Sequence, residues 1–305
     1  MSGNAPSKEN YRGRFAPSPT GPLHFGSLIA AVASYLQAVT HQGEWLVRIE
    51  DIDPTREIVG ATDSILRSLE AHGFEYPQPV YQSSRLDAYA AITDQLLANG
   101  NAYYCSCSRK EIRATALQGK TGMIYPGTCR DGADTSTRPA TSIRVQTTHD
   151  LLKFTDLLQG ELHCHPETDI GDFLIRRGDG LVAYQLAVVA DDEAQKITEV
   201  VRGTDLLEAT FMQIWLQHLL NYHQPAYMHF PVATGTDGQK LSKQTNAPEV
   251  NNNKPSDNLF ETLKWLNQAP EQSLKTAPVK DLWVWAEENW NPSALQGTRS
   301  RPKGV

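Results

Sequence analysis

Apolar residues in the first hundred positions recur with two periods, that of a helix and that of a strand. Leu28, Leu36 and Val39 share one face of a helix predicted over 28–40, with Ser27 as its N-cap. Two later helical patterns stop just before a glycine, the residue that suits a helix end. The other elements predicted here are strands at 11–15 and 45–49 and helices at 61–72 and 86–98. Such alternation favours a parallel sheet with right-handed crossovers.

This pattern changes near Tyr103 and returns near residue 188. In between, Cys, Gly, Pro and Thr replace the long apolar periods, and Gly178-Asp179-Gly180 predicts a tight turn. The predicted elements are strands at 142–146, 172–176, 197–201 and 228–233 and a helix at 206–221. We therefore expect an α/β fold with a flexible N-terminus at 1–10, a core formed by 11–104 and 188–250, an inserted α+β module at 105–187, and a short helical C-terminal extension at 251–305.

Composition narrows the class of protein. The 305 residues, 40% of them hydrophobic, can bury a large core, whereas no apolar run approaches the roughly 18 residues that span a bilayer. The polar N-terminus lacks a signal sequence, and four cysteines are too few for a disulfide scaffold, so we expect a soluble cytoplasmic protein. The net charge of −7 argues against a protein that coats nucleic acid, although a local basic face stays compatible with it.

Two loops carry candidate phosphate chemistry. The first joins the first strand to its helix, a junction that presents backbone N–H groups and the positive end of the helix dipole. There, His24 adds a donor and Gly26 permits close approach of a nucleotide. In the second loop, Lys240 and Lys243 bracket Ser242 and can bring positive charge to a triphosphate. Each loop alone is equally compatible with an incidental histidine or a solvated lysine pair.

Together the two loops resemble the two signatures of the class I aminoacyl-tRNA synthetases. His24-Phe25-Gly26-Ser27 is similar to the first, with Ser27 where a second histidine often stands, and Lys240-Leu241-Ser242-Lys243-Gln244 is similar to the second. The strings Arg14 to Gly21 and Arg48 to Pro54 resemble the glutamyl branch, and the likeness spans about residues 11–250. The resemblance implies a Rossmann-type catalytic core that uses ATP with Mg²⁺. It also implies catalytic roles for His24, Lys240 and Lys243, and an ATP site at His24, Gly26, Ser27 and Lys243.

The charges needed to bind L-glutamate are present. Its two carboxylates and one ammonium call for two cationic groups and one anionic group, which Arg14, Arg202 and Glu50 supply. Because all three stand at the ends of predicted strands, we expect them at one edge of the sheet. Any one of them could instead form a structural ion pair, and Glu50 to Asp53 could bind a metal. The resemblance adds the pocket residues Phe15, Ala16, Pro17, Ser18 and Tyr184.

A third motif combines soft metal ligands. Cys105, Cys107 and Cys129 leave one position of a tetrahedral zinc site open. Tyr125 could fill it as a phenolate. The alternative fourth ligands are His163, Cys164 and His165, and small buried thiols without metal are also possible. The Cys-x-Cys, Tyr, Cys arrangement resembles the zinc module of the short paralogues in the glutamyl branch, the glutamyl-Q tRNA(Asp) synthetases. This implies one structural Zn²⁺ on Cys105, Cys107, Tyr125 and Cys129.

Chain length and local charge lead to the same branch. Only 61 residues follow Gln244, too few for a large anticodon-reading portion, so we expect a small helical appendage there. Residues 105–145 carry a formal charge of +4 against −11 for the rest, which suits local contact with RNA. The resemblance then implies tRNA-independent activation of L-glutamate and its transfer to the queuosine base in the anticodon loop of tRNA(Asp), by a monomer without an obligate protein partner.

Three rival functions stay open at this point. One is a minimal glutamyl-tRNA synthetase that charges the 3′ end of tRNA. Another is a nucleotidyltransferase that adenylates a different small acid, and the third is a catalytically silent RNA-binding module. For the aromatic residues Trp283, Trp285 and Trp290 we expect core packing rather than stacking on RNA.

Overall fold

The computed structural model describes residues 11–119, 122–136, 139–235 and 248–303. Lys240 and Lys243, as well as the N-terminus at 1–10, lie outside these residues. The helices are α1 (Phe25–Thr40), α2 (Ala61–Ala71), α3 (Leu86–Ala98), α4 (Arg109–Thr115), α5 (Pro166–Asp169), α6 (Tyr184–Ala194), α7 (Thr210–Leu220), α8 (Pro255–Trp265) and α9 (Val279–Asn289). The strands are β1 (Arg12–Phe15), β2 (Glu44–Ile49), β3 (Val80–Tyr81), β4 (Ala102–Cys105), β5 (Leu117–Gly119), β6 (Gly122–Ile124), β7 (Ser142–Val145), β8 (Leu152–Asp156), β9 (Gly160–Cys164), β10 (Phe173–Arg176), β11 (Glu199–Gly203), β12 (Ala226–Phe230), β13 (Val232–Thr234) and β14 (Ser300–Pro302).

The predicted parallel sheet is present in two groups of strands that meet at β1 and β11. Strand β2 pairs in parallel with β1 and β3, and β11 pairs in parallel with β12. A hydrogen bond from the Thr198 amide to the Arg12 carbonyl, 2.9 Å long, joins the two groups. Helix α1 packs against both, with Leu28, Val32 and Leu36 fully buried. The carboxyl ends of β1, β2 and β11 therefore share one edge of the fold, as predicted.

Several predicted boundaries differ from the structure, among them the helix predicted at 206–221, which begins at Thr210. Three of the differences have a local reason. Helix α1 begins at Phe25, and its N-cap is His24 rather than Ser27, because the His24 Nδ1 accepts the Ser27 amide (3.2 Å) as a cap side chain does. The strand predicted at 228–233 is broken at Pro231 into β12 and β13. Proline lacks the N–H that a ladder needs. Strand β11 runs to Gly203, so Arg202 lies inside the strand and does not follow it.

Residues 105–187, predicted as an insertion, contain several small antiparallel units. Strands β4, β7 and β10 form one sheet, and β5 and β6 form a hairpin. The hairpin of β8 and β9 extends the central sheet instead, since the Leu157 amide donates to the Tyr227 carbonyl of β12 (2.9 Å). The division of the chain into a core and an insertion stays a prediction.

The C-terminal segment packs against the core. Trp283 is buried and donates its Nε1–H to the His72 carbonyl (2.9 Å), while Trp290 donates to the Gln37 side chain (2.9 Å). Trp285 packs against the same apolar cluster. The expectation that these tryptophans serve core packing is confirmed. Within the described residues, no helix has the length and apolar character needed to cross a bilayer.

Candidate functional site

A cavity of about 760 Å³ lies at the carboxyl edge of β1 and β11. The loop between β1 and α1 forms one wall, and β11 with the segment around Pro231 forms another. The predicted site residues that line it are Arg14, Phe15, Ala16, Pro17, Ser18, His24, Gly26, Ser27, Tyr184 and Arg202. Glu50 is absent from the lining, but its amide donates to the Pro17 carbonyl (3.0 Å) and so anchors the loop. The fold thus brings the predicted glutamate and ATP residues of the described chain together.

The N-terminus of α1 forms the anion-binding side of this cavity. Gly26 and Ser27 belong to its first turn, which carries no acidic residue. The imidazole of His24 lies over this turn, with Nε2 3.0 Å from the Ser27 hydroxyl. Backbone N–H groups and the positive helix end favour a phosphate here. The geometry of the first predicted signature is therefore suited to a nucleotide.

Behind the cavity, two arginines share one carboxylate. Arg14 is 3% exposed and donates to both oxygens of Asp192 (3.1 and 3.4 Å), and the fully buried Arg48 donates to the same group (2.8 Å). Burial raises the pKa of Asp192, but the two arginines outweigh that effect and hold it below its usual range. A carboxylate with two guanidinium partners stays ionised. Asp192 can therefore accept both hydrogen bonds from Arg14 and hold that guanidinium in place.

Glu50 is a buried carboxyl group whose hydrogen-bonding capacity is only partly used by the described residues. Its Oε1 has no hydrogen-bond partner within the described residues and lies 3.8 Å from Arg48 Nη2. Burial raises the pKa of Glu50 to about 7, although Arg48 and Arg14 oppose this shift. An ammonium group placed beside Glu50 would restore its charge and provide the missing hydrogen bond. Glu50 can therefore act as the anionic member of the predicted set.

Arg202 supplies a second buried cation and is only partly satisfied by protein groups. Its Nε donates to His229 Nε2 (3.0 Å) and its Nη2 donates to the Thr210 hydroxyl (2.8 Å). The Nη1 is buried and has no partner in the part of the chain that the structure describes. Tyr184, at the start of α6, lies near Arg202 and Glu50, and burial raises its phenol pKa. An anionic ligand in the cavity would complete the hydrogen bonding of Arg202.

Sequence reasoning missed Asp192, Thr210 and His229, which hold Arg14 and Arg202, and Arg48, which shares Asp192 with Arg14. A signal existed for two of them, since Arg48 interrupts the apolar strand β2 and Asp192 interrupts the apolar face of α6. Charges within otherwise buried runs are rarely left unpaired. No comparable signal marks His229, which meets Arg202 through the pairing of β11 with β12, or Thr210, which α7 brings to the same guanidinium.

The three predicted cysteine ligands form a second site. The Sγ atoms of Cys105, Cys107 and Cys129 lie within 4.8 Å of one another, and the Cys107–Cys129 pair is 3.6 Å apart. The Tyr125 hydroxyl oxygen lies 3.5 Å from Cys105 Sγ and 3.3 Å from Cys107 Sγ. With Zn–S bonds of ~2.3 Å, tetrahedral ligand atoms are spaced by ~3.5–3.8 Å. The donor atoms therefore fit a zinc ion.

The alternative fourth ligands lie elsewhere. Within the described residues, the group of metal-ligating side chains around Cys105 contains neither His163 nor His165. Cys164 is fully buried in a separate apolar cluster with Val145 and Ile175. Tyr125 is the candidate whose oxygen the fold brings to the three thiols.

Arg144 contacts this cysteine and tyrosine group directly. It is 7% exposed, its Nε donates to Cys105 Sγ (3.4 Å), and its Cζ lies 3.9 Å from the centroid of the Tyr125 ring. Its Nη1 donates to the Asp172 carbonyl (2.8 Å). A guanidinium in this position stabilises anionic sulfur and oxygen ligands.

The predicted basic face is smaller than the charge count suggested. Arg144 is buried, and Arg130 forms a bidentate pair with Asp172 (2.6 and 2.7 Å). Lys120 and Arg138 lie outside the described residues. The exposed cations left from that count are Arg109, Lys110 and Arg113, all on α4.

Comparisons with known proteins agree with this geometry. Residues 10–268 match the family model described as tRNA synthetases class I (E and Q), catalytic domain. The glutamyl-Q tRNA(Asp) synthetase of Dechloromonas aromatica is 51% identical over 93% of this chain and 95% of its own length. That of Pseudomonas aeruginosa strain PAO1 is 45% identical over 96% of this chain and 98% of its own.

Solved structures show the same fold. The glutamate-tRNA synthetase of Elizabethkingia anophelis has a TM-score of 0.79 at 22% identity, covering 96% of this chain and 68% of the other. The matched family domain and the relatives at up to 51% identity together identify the family of the protein. The chain belongs to the class I tRNA synthetases of the E and Q group and, within them, to the glutamyl-Q tRNA(Asp) synthetase family.

Proposed function

We propose that the protein is an ATP-dependent ligase that activates L-glutamate as its adenylate without tRNA. It then transfers the glutamate to the queuosine base in the anticodon loop of tRNA(Asp). The observation that carries this proposal is a cavity in which a helix N-terminus faces two buried arginines, with Glu50 beside them. The names of the relatives supply the identity of the acceptor.

Glutamate recognition rests on charge matching. Arg14 and Arg202 each bind a carboxylate, and Glu50 in its ionised form binds the ammonium group. A neutral or apolar amino acid lacks the second carboxylate and would leave Arg14 or Arg202 without its ligand. Arg14 would keep its pair with Asp192, whereas the buried Nη1 of Arg202 would have no partner among the described residues. Such an unpaired buried group costs several kcal/mol, which corresponds to strong discrimination. Tyr184 and the segment from Phe15 to Ser18 complete the walls of the pocket.

Activation requires positioning more than covalent protein chemistry. A carboxylate oxygen of glutamate attacks the α-phosphorus of ATP, and pyrophosphate leaves. The N-terminus of α1, with Gly26, Ser27 and His24, binds the phosphates. Lys240 and Lys243 of the second signature add positive charge. Mg²⁺, when bound with ATP, offsets further phosphate charge.

We infer that Cys105, Cys107, Tyr125 and Cys129 bind one structural zinc ion. The spacing of their donor atoms and the buried Arg144 support this inference. Tyr125 oxygen accepts the Cys129 amide hydrogen bond (3.0 Å), which suits a phenolate. These four residues do not line the cavity, so a zinc ion bound to them would hold the module together and take no part in the reaction.

Pyrophosphate exchange tests the activation step. Purified protein with ATP and labelled pyrophosphate should form labelled ATP when L-glutamate is added, without any tRNA. Exchange with a different small acid in place of glutamate would favour the nucleotidyltransferase alternative. Absence of exchange with any acid, both without and with tRNA, would leave only the RNA-binding alternative.

Product mapping tests the acceptor. Labelled glutamate should attach to queuosine-containing tRNA(Asp) whose terminal adenosine has been removed before the assay, because queuosine and not the terminal ribose accepts it. Removal of the adenosine is used in place of periodate oxidation, since periodate would also cleave the cis-diol of the queuosine ring. Labelling of queuosine-lacking tRNA with an intact 3′ end would instead favour a minimal glutamyl-tRNA synthetase.

A further inference from the structure

Protein groups use only part of the hydrogen-bonding capacity of Arg202. The groups that bind it have no role in the function proposed above. Two of its nitrogens are bound by protein and the buried Nη1 has no partner among the described residues. The Thr210 hydroxyl that accepts from Nη2 also lies 3.0 Å from the Leu206 carbonyl, to which it donates. The guanidinium is therefore fixed on two sides, it lines the cavity, and Nη1 is the nitrogen that the described protein groups leave without a hydrogen bond.

His229 is the second partner of Arg202 and is fully buried on β12, directly across from it in the parallel register. Its Nε2 accepts from Arg202 Nε (3.0 Å), and its Nδ1 lies 2.6 Å from Asp156 Oδ2. A guanidinium can only donate and an ionised carboxylate can only accept. The tautomer with a proton on Nδ1 and a lone pair on Nε2 is the one that satisfies both neighbours.

Asp156 is in turn fixed by backbone groups. It accepts the amides of Leu158 (3.0 Å), Gln159 (2.8 Å) and His229 (3.1 Å), and its side chain is fully buried. These bonds orient the carboxylate so that its Oδ2 faces the imidazole. Asp156 stands at the end of β8, so a residue from the region predicted as an insertion supports the cavity.

We propose that Asp156 and His229 are positioning residues for the amino-acid substrate. Asp156 holds His229 in the Nδ1–H tautomer, and the neutral imidazole fixes the guanidinium of Arg202 with Nη1 facing the carboxylate of the substrate. Because the imidazole is neutral, Arg202 is the single cation among Asp156, His229 and Arg202. Its one positive charge matches one carboxylate of the substrate. This inference rests on the proposed function, because it assigns the ligand of Arg202 to the activated amino acid.

Two substitutions of His229 separate its two bonds. In His229→Asn, the side-chain amide nitrogen can replace the Nδ1 donor toward Asp156, but no acceptor reaches Arg202. In His229→Gln, the longer side chain can bring an oxygen to the place of Nε2. In glutamate-dependent pyrophosphate exchange, we expect His229→Asn to raise the KM for glutamate tenfold or more, with kcat and the KM for ATP changed less than threefold. His229→Gln should stay within threefold of wild type.

Equal shifts in the KM for glutamate with the two variants would overturn the proposal, as would a loss confined to kcat or to the KM for ATP. The tautomer is tested separately in wild-type protein by nitrogen-15 NMR of the histidine rings at neutral pH. The neutral Nδ1–H form is expected for His229, and an Nε2–H or doubly protonated ring would overturn the proposal even where the variants fail to fold. Wild-type protein that shows no exchange with glutamate would refute the proposed function, and the NMR result would still decide the tautomer.

Discussion

The two candidate sites each contain a buried arginine, but they use it in opposite ways. Arg202 is held by His229 and Thr210, and one of its nitrogens has no partner among the described residues. Arg144 is held by Asp172 and directs its charge at Cys105 and Tyr125. In the cavity the protein presents a cation that an anionic ligand must neutralise. At the cysteine group the protein directs a cation at its own side chains. In the proposed zinc site, three thiolates and a phenolate around Zn²⁺ would carry net negative charge, which this cation would neutralise in part.

The two sites also differ in what supports them. The cavity rests on two large apolar clusters that include the central sheet and its helices. The cysteine group contains only three buried residues, Cys105, Tyr125 and Cys129. A small unit with so little apolar core gains its stability from a metal or another crosslink. The first site is built by the fold, whereas the second, if it binds zinc as proposed, would help to build the fold around it.

The largest effect should follow loss of a metal ligand. In Cys107→Ser, bound zinc should fall from about one per chain to near zero, because an incomplete ligand set loses much of the large binding free energy of structural zinc. Amide exchange should accelerate across residues 103–136 and stay slow in the central sheet. Metal analysis and hydrogen exchange measure both effects.

The matched control for that variant is Cys164→Ser, which makes the same atomic change in a cysteine outside the group. It should keep its zinc, although burying a hydroxyl costs about 1–3 kcal/mol of stability. Wild-type protein that folds stably without metal would contradict the structural role of zinc.

The next largest effect is expected when the positive charge of Arg202 is removed from the cavity. Arg202→Ala should raise the KM for glutamate about a hundredfold or more, because truncating one partner of a buried charge pair costs about 2–5 kcal/mol. The KM for ATP should change little. Arg67→Ala serves as the control, since Arg67 is exposed on α2 and does not line the cavity. An unchanged glutamate titration in Arg202→Ala would remove this residue from the pocket.

A smaller effect is expected where Arg144 is replaced by an uncharged side chain of similar length. Arg144→Met should lower zinc affinity about 10- to 100-fold, the usual loss when a group that orients metal ligands is removed. Competition with a coloured chelator measures the affinity without any activity assay. Glutamate-dependent exchange at saturating zinc should remain near the wild-type level, and a higher KM for glutamate or a lower kcat there would contradict the separation of the two sites.

The smallest effect is a pH dependence at Glu50. Burial raises its pKa to about 7, and only the ionised form binds the ammonium group, so the KM for glutamate should fall about tenfold between roughly pH 6 and 8. In Glu50→Gln the KM should be high and should lose this dependence. A wild-type KM that is flat over this range would contradict the assignment.

The same shift has a consequence for stability. The folded state binds more protons than the unfolded state between the ordinary pKa of 4.5 and the raised value of about 7, so the free energy of unfolding falls as pH rises through this window. Denaturant titrations at several pH values measure this fall in the free energy of unfolding for wild type and for Glu50→Gln. Glu199, whose pKa burial also raises to about 7, keeps its contribution in both proteins.

Much of the fold was predictable because its signals are local. Helix α3 has the predicted limits, and the glycines after α2 and α3 adopt the left-handed conformation that a helix end favours. Pro231 and His24 were misjudged because Pro231 removes one backbone hydrogen bond and the His24 side chain supplies one, and neither effect changes the hydrophobic periodicity. The basic face was overestimated because a count of charges contains no information on burial, and Arg144 and Arg130 are both occupied with internal partners.

The sequence alone determined which chemical groups are available. The glutamate set, the loop at the first helix and the three cysteines with Tyr125 all stand in short, specific motifs. Only the tertiary structure decided how those groups are held. Asp156, His229 and Arg202 are distant along the chain and meet because β8, β11 and β12 lie side by side. Such contacts depend on the pairing of strands, and no spacing within one segment of sequence encodes the partner that a buried charge will find.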